Sequence, residues 1–388
     1  MAKENNMKPI RSGFDGLEFS IKTNIPKELA ETLSRIKGHA SVIHGEIQIG
    51  VGEEWISIRE TGARGGYAFS CREDTTGDWF FKKPSAHDPW GIRFSASSSA
   101  LVLLGLEGLR LRVAELLFNL GIDAPLSAYS PSRVDFAVDF LAPDFEVFTK
   151  NFVVHSRTSQ KSFDTIDVIQ VNGRSSWTTS VTVGKMPHRQ VIIYDKREEV
   201  VVKRKHEWAS IWARAMNGSD AMPLDLSDRS TSQVWRVELR VAKRHLKDVW
   251  DINSWASLYE LLPKVFETMM TDIRYCEPSN DTNRARWSNH AIWNAVKLAV
   301  QDNLFDHVPT LAPEEYVEIK REQKIYELQT QMLGLAISLA AIEGTPAFIF
   351  GKFLETTAQR LEAKSRYGKP DLTERLKKAK DKYRFLVP

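Results

Sequence analysis

Ser132-Arg133-Val134-Asp135-Phe136-Ala137-Val138-Asp139-Phe140 alternates apolar and polar residues without a break. At the two-residue period of a β-strand, Val134, Phe136, Val138 and Phe140 take one face, and Arg133, Asp135, Ala137 and Asp139 take the other. The first face is apolar enough to lie on a core. The second sets two carboxylates beside a guanidinium, and like charges that close raise each other's pKa unless a cation intervenes. Arg133 can neutralise one of them, and a divalent metal could neutralise both. An ordinary half-buried strand with a solvated charged face accounts for the same residues equally well.

Strand patterns surround this segment on both sides. Upstream, residues 1–13 read as a loose tail, 17–21 as a strand and 26–37 as a helix with Pro26 before it and Gly38 behind it. Residues 46–51, 55–59, 66–72 and 91–95 read as strands punctuated by glycines, and 98–120 as a helix that Gly105 and Gly108 could break. Downstream, 145–155 reads as a crossing helix, 165–171, 177–183 and 189–195 as strands, 196–216 as one charged helix, 217–229 as a loop and 233–242 as a strand. Beyond residue 254 the pattern is helical, interrupted near 276–283 and 305–312. The expected fold is therefore α+β: a mostly antiparallel sheet with flanking helices over 14–250, then a helical region over 251–388.

Composition narrows the function classes. A chain of 388 residues with 27% charged and 42% hydrophobic residues is that of a folded soluble protein. A formal net charge of +3 makes any nucleic-acid surface a matter of local clustering. Cys71 and Cys276, the two cysteines, point to a reducing compartment without a disulfide framework. The polar start lacks a signal-peptide pattern, and the run from Met332 to Ile342 is too short to span a bilayer, so it reads as a core or interface helix. The expected location is the cytoplasm, away from any membrane.

Two further strands carry chemistry. Arg189-Gln190-Val191-Ile192-Ile193-Tyr194-Asp195-Lys196 ends in a polar cluster where a helix begins. A free tyrosine ionises near 10, so it attacks poorly at neutral pH unless an adjacent cation supports the phenolate. Lys196 is placed to do so; the plain alternative is a strand-end tyrosine that packs its ring and shows its hydroxyl to water. In Val234-Trp235-Arg236-Val237-Glu238-Leu239-Arg240-Val241, Arg236, Glu238 and Arg240 share one face. They form either an ion-pair ladder or a hard oxygen ligand between two phosphate-binding guanidinia. Were this strand beside the one bearing Asp135, a spacing of about 4.8 Å would let their carboxylates share a magnesium- or manganese-type ion.

Arg133-Val134-Asp135-Phe136-Ala137-Val138-Asp139-Phe140, Ile193-Tyr194-Asp195-Lys196-Arg197-Glu198-Glu199 and Trp235-Arg236-Val237-Glu238-Leu239, in that order, resemble the replication initiation factors of the Rep-trans family. Those proteins start rolling-circle replication of plasmids and phages, and the related T-class relaxases nick conjugative elements. The resemblance runs from about residue 14, where Phe14-Asp15-Gly16-Leu17-Glu18-Phe19 looks like the family's first strand, to about 245. It implies that Tyr194 is a nucleophile assisted by Lys196, and that Asp135, Asp139 and Glu238 bind Mg2+ or Mn2+. The implied activity is nicking and rejoining of origin DNA through a phosphotyrosyl intermediate. A non-catalytic DNA-binding replication-control protein, a conjugative relaxase and a water-using metal nuclease are the alternatives.

The expected partner is origin DNA, single-stranded or as an extruded hairpin, with host helicase and polymerase and a homodimer as further partners. Arg133, Arg189, Arg236 and Arg240 are the expected strand-borne phosphate contacts, and Lys203-Arg204-Lys205 centres a run with eight basic and four acidic residues between 185 and 214. A second basic run occupies 360–388, with ten basic residues against four acidic. Trp208 and Trp212, one turn apart, read as the buried side of their helix. No His-x-His pair, phosphate-binding P-loop, Cys-x-x-Cys or His-Glu-x-x-His motif occurs, so no ATP-driven helicase or zinc site is legible.

Overall fold

The computed structural model describes residues 7–51, 54–155, 169–174, 177–307, 309–367 and 371–386. In chain order the first elements are β1 (Lys8–Ile21), α1 (Lys27–Ile43), β2 (Ile47–Val51), β3 (Glu54–Ile58), β4 (Phe69–Glu73), β5 (Gly77–Phe81), β6 (Ile92–Ala96), α2 (Ser98–Asn119) and β7 (Tyr129–Leu141). There follow β8 (Phe152–Val154), β9 (Ile169–Arg174), β10 (Trp177–Lys185), β11 (Arg189–Asp195), α3 (Lys196–Val202), α4 (Glu207–Asn217) and β12 (Val234–Ala242). The remainder is α5 (Trp255–Asp272), β13 (Ile273–Tyr275), α6 (Ala291–Asn303), α7 (Pro313–Ile342), α8 (Phe350–Arg366) and α9 (Leu372–Lys382).

Eleven strands form one sheet in the order β2-β3-β4-β5-β6-β1-β7-β12-β11-β10-β9. Every neighbouring pair in it is antiparallel, as expected from the clean alternation of its strands. On β7 the apolar set Val134, Phe136, Val138 and Phe140 is at most 1% exposed. Against it packs α5, whose Leu258, Leu262, Val265, Phe266 and Met269 form a buried stripe at helical spacing. Ser254 caps α5 by accepting a hydrogen bond from the Ser257 amide at 3.1 Å. Each large side chain buried there stabilises the fold by about 1.5–3 kcal/mol.

Several expectations need correction. The supposed tail contributes to β1, which starts at Lys8 and pairs with β7 along its whole length. Register shifts between Pro9/Arg11 and Phe14/Gly16 break its alternation, which hid the strand. Residues 145–155 form no helix: after a short helical turn, β8 pairs with β13, and the Phe148 amide donates to the Tyr275 hydroxyl at 3.1 Å. Gly77–Phe81 is a strand that the sequence reading missed. The strand expected at 165–171 lies partly outside the described residues, and β9 begins at Ile169.

The single helix expected at 196–216 is two. Arg204 adopts φ 54°, and the turn there lays α4 back so that Trp208 and Trp212 are buried, 2% and 0% exposed. Residues Met1–Leu311 form one compact unit and Ala312–Pro388 a second. Helices α5 and α6 belong to the first because their apolar stripes complete the sheet's core. In the second unit, α7 carries the Met332–Ile342 run. Met332, Leu335, Ile337 and Ile342 are 69%, 72%, 53% and 84% exposed, so the run is no core helix. Its 30 residues include a window of mean hydropathy 1.2, so by length and composition alone the helix is long enough to cross a membrane, contrary to the count over 332–342.

Candidate active site on the polar sheet face

Register decides which polar residues meet. On β7 and β12, Asp139 is opposite Arg236, Ala137 opposite Glu238 and Asp135 opposite Arg240. On β11, Tyr194 is opposite Arg236 and Ile192 opposite Glu238. Directly opposed residues share a sheet face, so Tyr194, Asp135, Asp139, Arg236, Glu238 and Arg240 all lie on one side. Arg189 is registered opposite Val241 and therefore lies on the other. It makes an ion pair with Asp272 of α5 at 2.9 Å, which corrects its assignment to a DNA-contacting set with Tyr194.

The face divides into two charge clusters. In the first, the Asp139 carboxylate accepts from Arg236 Nε at 2.5 Å and Nη2 at 2.8 Å, and from Trp212 Nε1 at 2.9 Å. Arg236 Nη1 donates to Asp15 Oδ1 at 2.7 Å, and Ser98 Oγ donates to the same oxygen at 2.7 Å. Burial opposes ionisation of Asp15, but Arg236 and Lys196 outweigh it and hold its carboxyl well below the usual range. Burial likewise acts against the Arg236 charge, and Asp139 and Asp15 overcome it. Asp139 and Arg236 are both 0% exposed. Both Asp139 oxygens and the Nε, Nη1 and Nη2 of Arg236 are engaged in these contacts, which argues against the expected metal role of Asp139 and the expected DNA contact by Arg236.

In the second cluster the arginines are part-exposed, while Asp135 and Glu238 are buried. Arg133 Nε lies 3.0 Å from both Asp135 oxygens and its Nη2 donates to Oδ2 at 2.5 Å. Arg240 Nε donates to Glu238 Oε1 at 2.7 Å and lies 3.8 Å from Asp135. Among the described residues, Glu238 Oε2 is buried without a hydrogen-bond partner. Burial, with repulsion from Glu238, outweighs Arg133 and raises the Asp135 pKa to about 7. Gly16 leaves room for this carboxylate, because a Cβ there would come within 2.5 Å of Asp135 Oδ2. Among the described residues no group of three or more His, Cys, Asp or Glu is placed to hold a metal ion, so the three-carboxylate site does not form. Asp135 and Glu238 remain as a pair.

Tyr194 is half-buried, on the face that carries Arg236 and Glu238. Its phenol pKa is raised well above 10, first by burial and then by Glu238. Lys196, the expected support for the phenolate, is paired elsewhere. Its ammonium is 2% exposed, paired with Glu199, and 5.7 Å from the Tyr194 ring centre, and burial lowers its own pKa. Trp208 organises the cations: Arg236, Lys196 and Arg11 lie 4.5, 4.9 and 5.3 Å from its ring centre. Lys203 and Lys205 reach Glu199 at 3.0 and 3.1 Å, and with the exposed Arg204 they form the turn before α4.

Sequence reasoning missed Asp15 and Arg11, both on β1. Asp15 was visible only as part of a motif, and Arg11 fell within the supposed tail. Their alternation is lost at the bulge, so no local period marks them as members of this face.

Comparison with known proteins adds little. No family model and no curated protein matches the chain. Among solved structures, the rolling-circle replication initiator protein from Geobacillus stearothermophilus is similar at 14% identity, covering 77% of this chain and 98% of that one with a TM-score of 0.39. At that score the likeness assigns neither fold nor function to this chain.

Proposed function

We propose that the polar sheet face is a DNA strand-transfer site that nicks and rejoins origin DNA to initiate rolling-circle replication. Tyr194 is the nucleophile. Its phenolic oxygen attacks a phosphodiester, a phosphotyrosyl bond forms, and the phosphorus–oxygen bond to the neighbouring sugar breaks. The phenolic proton balances the oxyanion that leaves, so the products are a 3′-hydroxyl and a covalently held 5′ end. The ester conserves the bond energy for rejoining.

One observation carries this reading: Tyr194 stands on the same sheet face as the Asp135–Glu238 pair. Those two carboxylates fit a Mg2+ or Mn2+ ion, since Glu238 Oε2 is a hard acceptor orphaned among the described residues and Asp135 resists ionising beside it. A bound ion supplies polarisation of the scissile phosphate. Removing the Glu238 repulsion would ease formation of the phenolate. Arg133 and Arg240, both part-exposed, are the guanidinia suited to the phosphate, and Lys203, Arg204 and Lys205 to the flanking backbone.

The test is incubation with single-stranded DNA from the element's own replicon and Mn2+, followed by denaturing electrophoresis and mass spectrometry of the DNA-linked peptide. Tyr194→Phe is expected to bind DNA and form no adduct; an adduct that persists in that variant overturns the assignment. A second reading, a non-catalytic DNA-binding protein on the same scaffold, is favoured by the closed Asp139–Arg236–Asp15 ion-pair set. Uncut oligonucleotide after prolonged incubation of the wild type would select it.

A further inference from the structure

A cavity of about 780 Å³ lies where β1 loses its strand neighbour on one side. Strand β6 pairs with β1 over Glu18 to Ile21, whereas Pro9, Ile10, Arg11 and Ser12 line the cavity. The remaining walls come from the C-terminal end of α4 with Arg214, from α6 with Ala295, Leu298 and Ala299, and from His307 and Thr310 in the segment after it. The volume is that of a small-ligand site.

Its polar equipment is unbalanced toward donors. Arg11 Nη1 and Thr310 Oγ1 are both buried and, among the described residues, lack a hydrogen-bond partner. A native fold rarely leaves two donors buried and unsatisfied around one cavity unless something else fills it. Arg214 brings a second guanidinium, and Asp306 is the carboxylate among the lining residues. Burial and the nearby Arg236 oppose the Arg11 charge, with Asp139 and Asp15 pulling the other way, and the net effect lowers its pKa. An anion at Arg11 would reverse that deficit. Ile10, Val138, Ala295, Leu298 and Ala299 supply an apolar part of the lining, against which a base could pack.

We infer that this cavity binds a nucleotide, its phosphate on Arg11 and Thr310 and its base on the apolar part of the lining. Arg11 also lies over the Trp208 ring that Arg236 and Lys196 share, so the phosphate site adjoins the polar sheet face. The inference does not require Tyr194 to be a nucleophile. The nucleotide comes either from a single strand crossing the face or from the free pool, and the phosphate chemistry is the same.

The test is equilibrium binding to the full-length protein with three probes: inorganic phosphate, a deoxynucleoside 5′-monophosphate and a short single-stranded oligonucleotide. Binding of the monophosphate is expected, tighter than that of phosphate, and Arg11→Gln is expected to weaken it at least tenfold. Thr310→Val, which keeps the shape and removes the donor, should weaken it several-fold with an unchanged melting temperature, which guards against misfolding of the Arg11 variant. Binding of the oligonucleotide with the same dependence on Arg11 and Thr310, without binding of the monophosphate, identifies the strand as the source. No binding of any probe, or affinities indifferent to both substitutions, overturns the inference even if Tyr194 forms a DNA adduct.

Discussion

Tyr194 is registered opposite Arg236 on the adjacent strand, and this sets it one same-face position along from Glu238. Burial first and Glu238 second push its phenol well above 10. A nucleophilic role therefore needs the Glu238 charge countered. Glu238→Gln is expected to lower the Tyr194 pKa in metal-free buffer, and saturating Mn2+ to do the same in the wild type. Ultraviolet difference titration against Tyr194→Phe isolates this phenol from the other tyrosines. A Tyr194 titration unmoved by either change would disconnect the two residues.

Asp135 makes metal-free stability pH-dependent. Its folded pKa of about 7 exceeds the unfolded value of about 3.9, so the folded state holds the proton more tightly. The stabilising contribution is full below pH of about 4 and lost as pH rises through about 7, amounting to a few kcal/mol at most. Asp135→Asn is expected to flatten urea-denaturation stability across that window. An undiminished slope would remove Asp135 as its source.

The Asp139–Arg236 pair is a structural device. Removing one partner strands the other charge in the interior, so Asp139→Ala is expected to cost about 3–5 kcal/mol by chemical denaturation. The stoichiometry of Mn2+ binding, measured under conditions where the variant stays folded, is expected to be unaltered. Loss of a bound ion would return Asp139 to the metal site.

Arg189 and the basic turn should separate cleanly. Lys203→Ala, Arg204→Ala and Lys205→Ala together are expected to weaken single-stranded DNA binding and reduce the salt slope by about 1–2, with Glu199 already holding part of the lysine charge. Arg189→Ala is expected to leave the slope intact and destabilise the fold through Asp272. An affinity loss of equal size in both variants would defeat the assignment of faces.

The alternation within each strand is a local property, so the residues alone determined that Val134, Phe136, Val138 and Phe140 face a core and that Asp135, Glu238 and Tyr194 stand on polar faces. The mostly antiparallel α+β layout followed from the same periodicity. Even the separation of Arg189 from Tyr194 was legible by parity, five residues apart on one strand. Strand order and register are set by packing among segments distant in the chain, and only these brought Arg236 onto Asp139 and left Glu238 Oε2 without a hydrogen-bond partner among the described residues. The bulges in β1 erased the period that would have drawn attention to Arg11 and Asp15. Whether a carboxylate meets a guanidinium or waits for a cation depends on a one-residue choice of register, and no single strand carries that information.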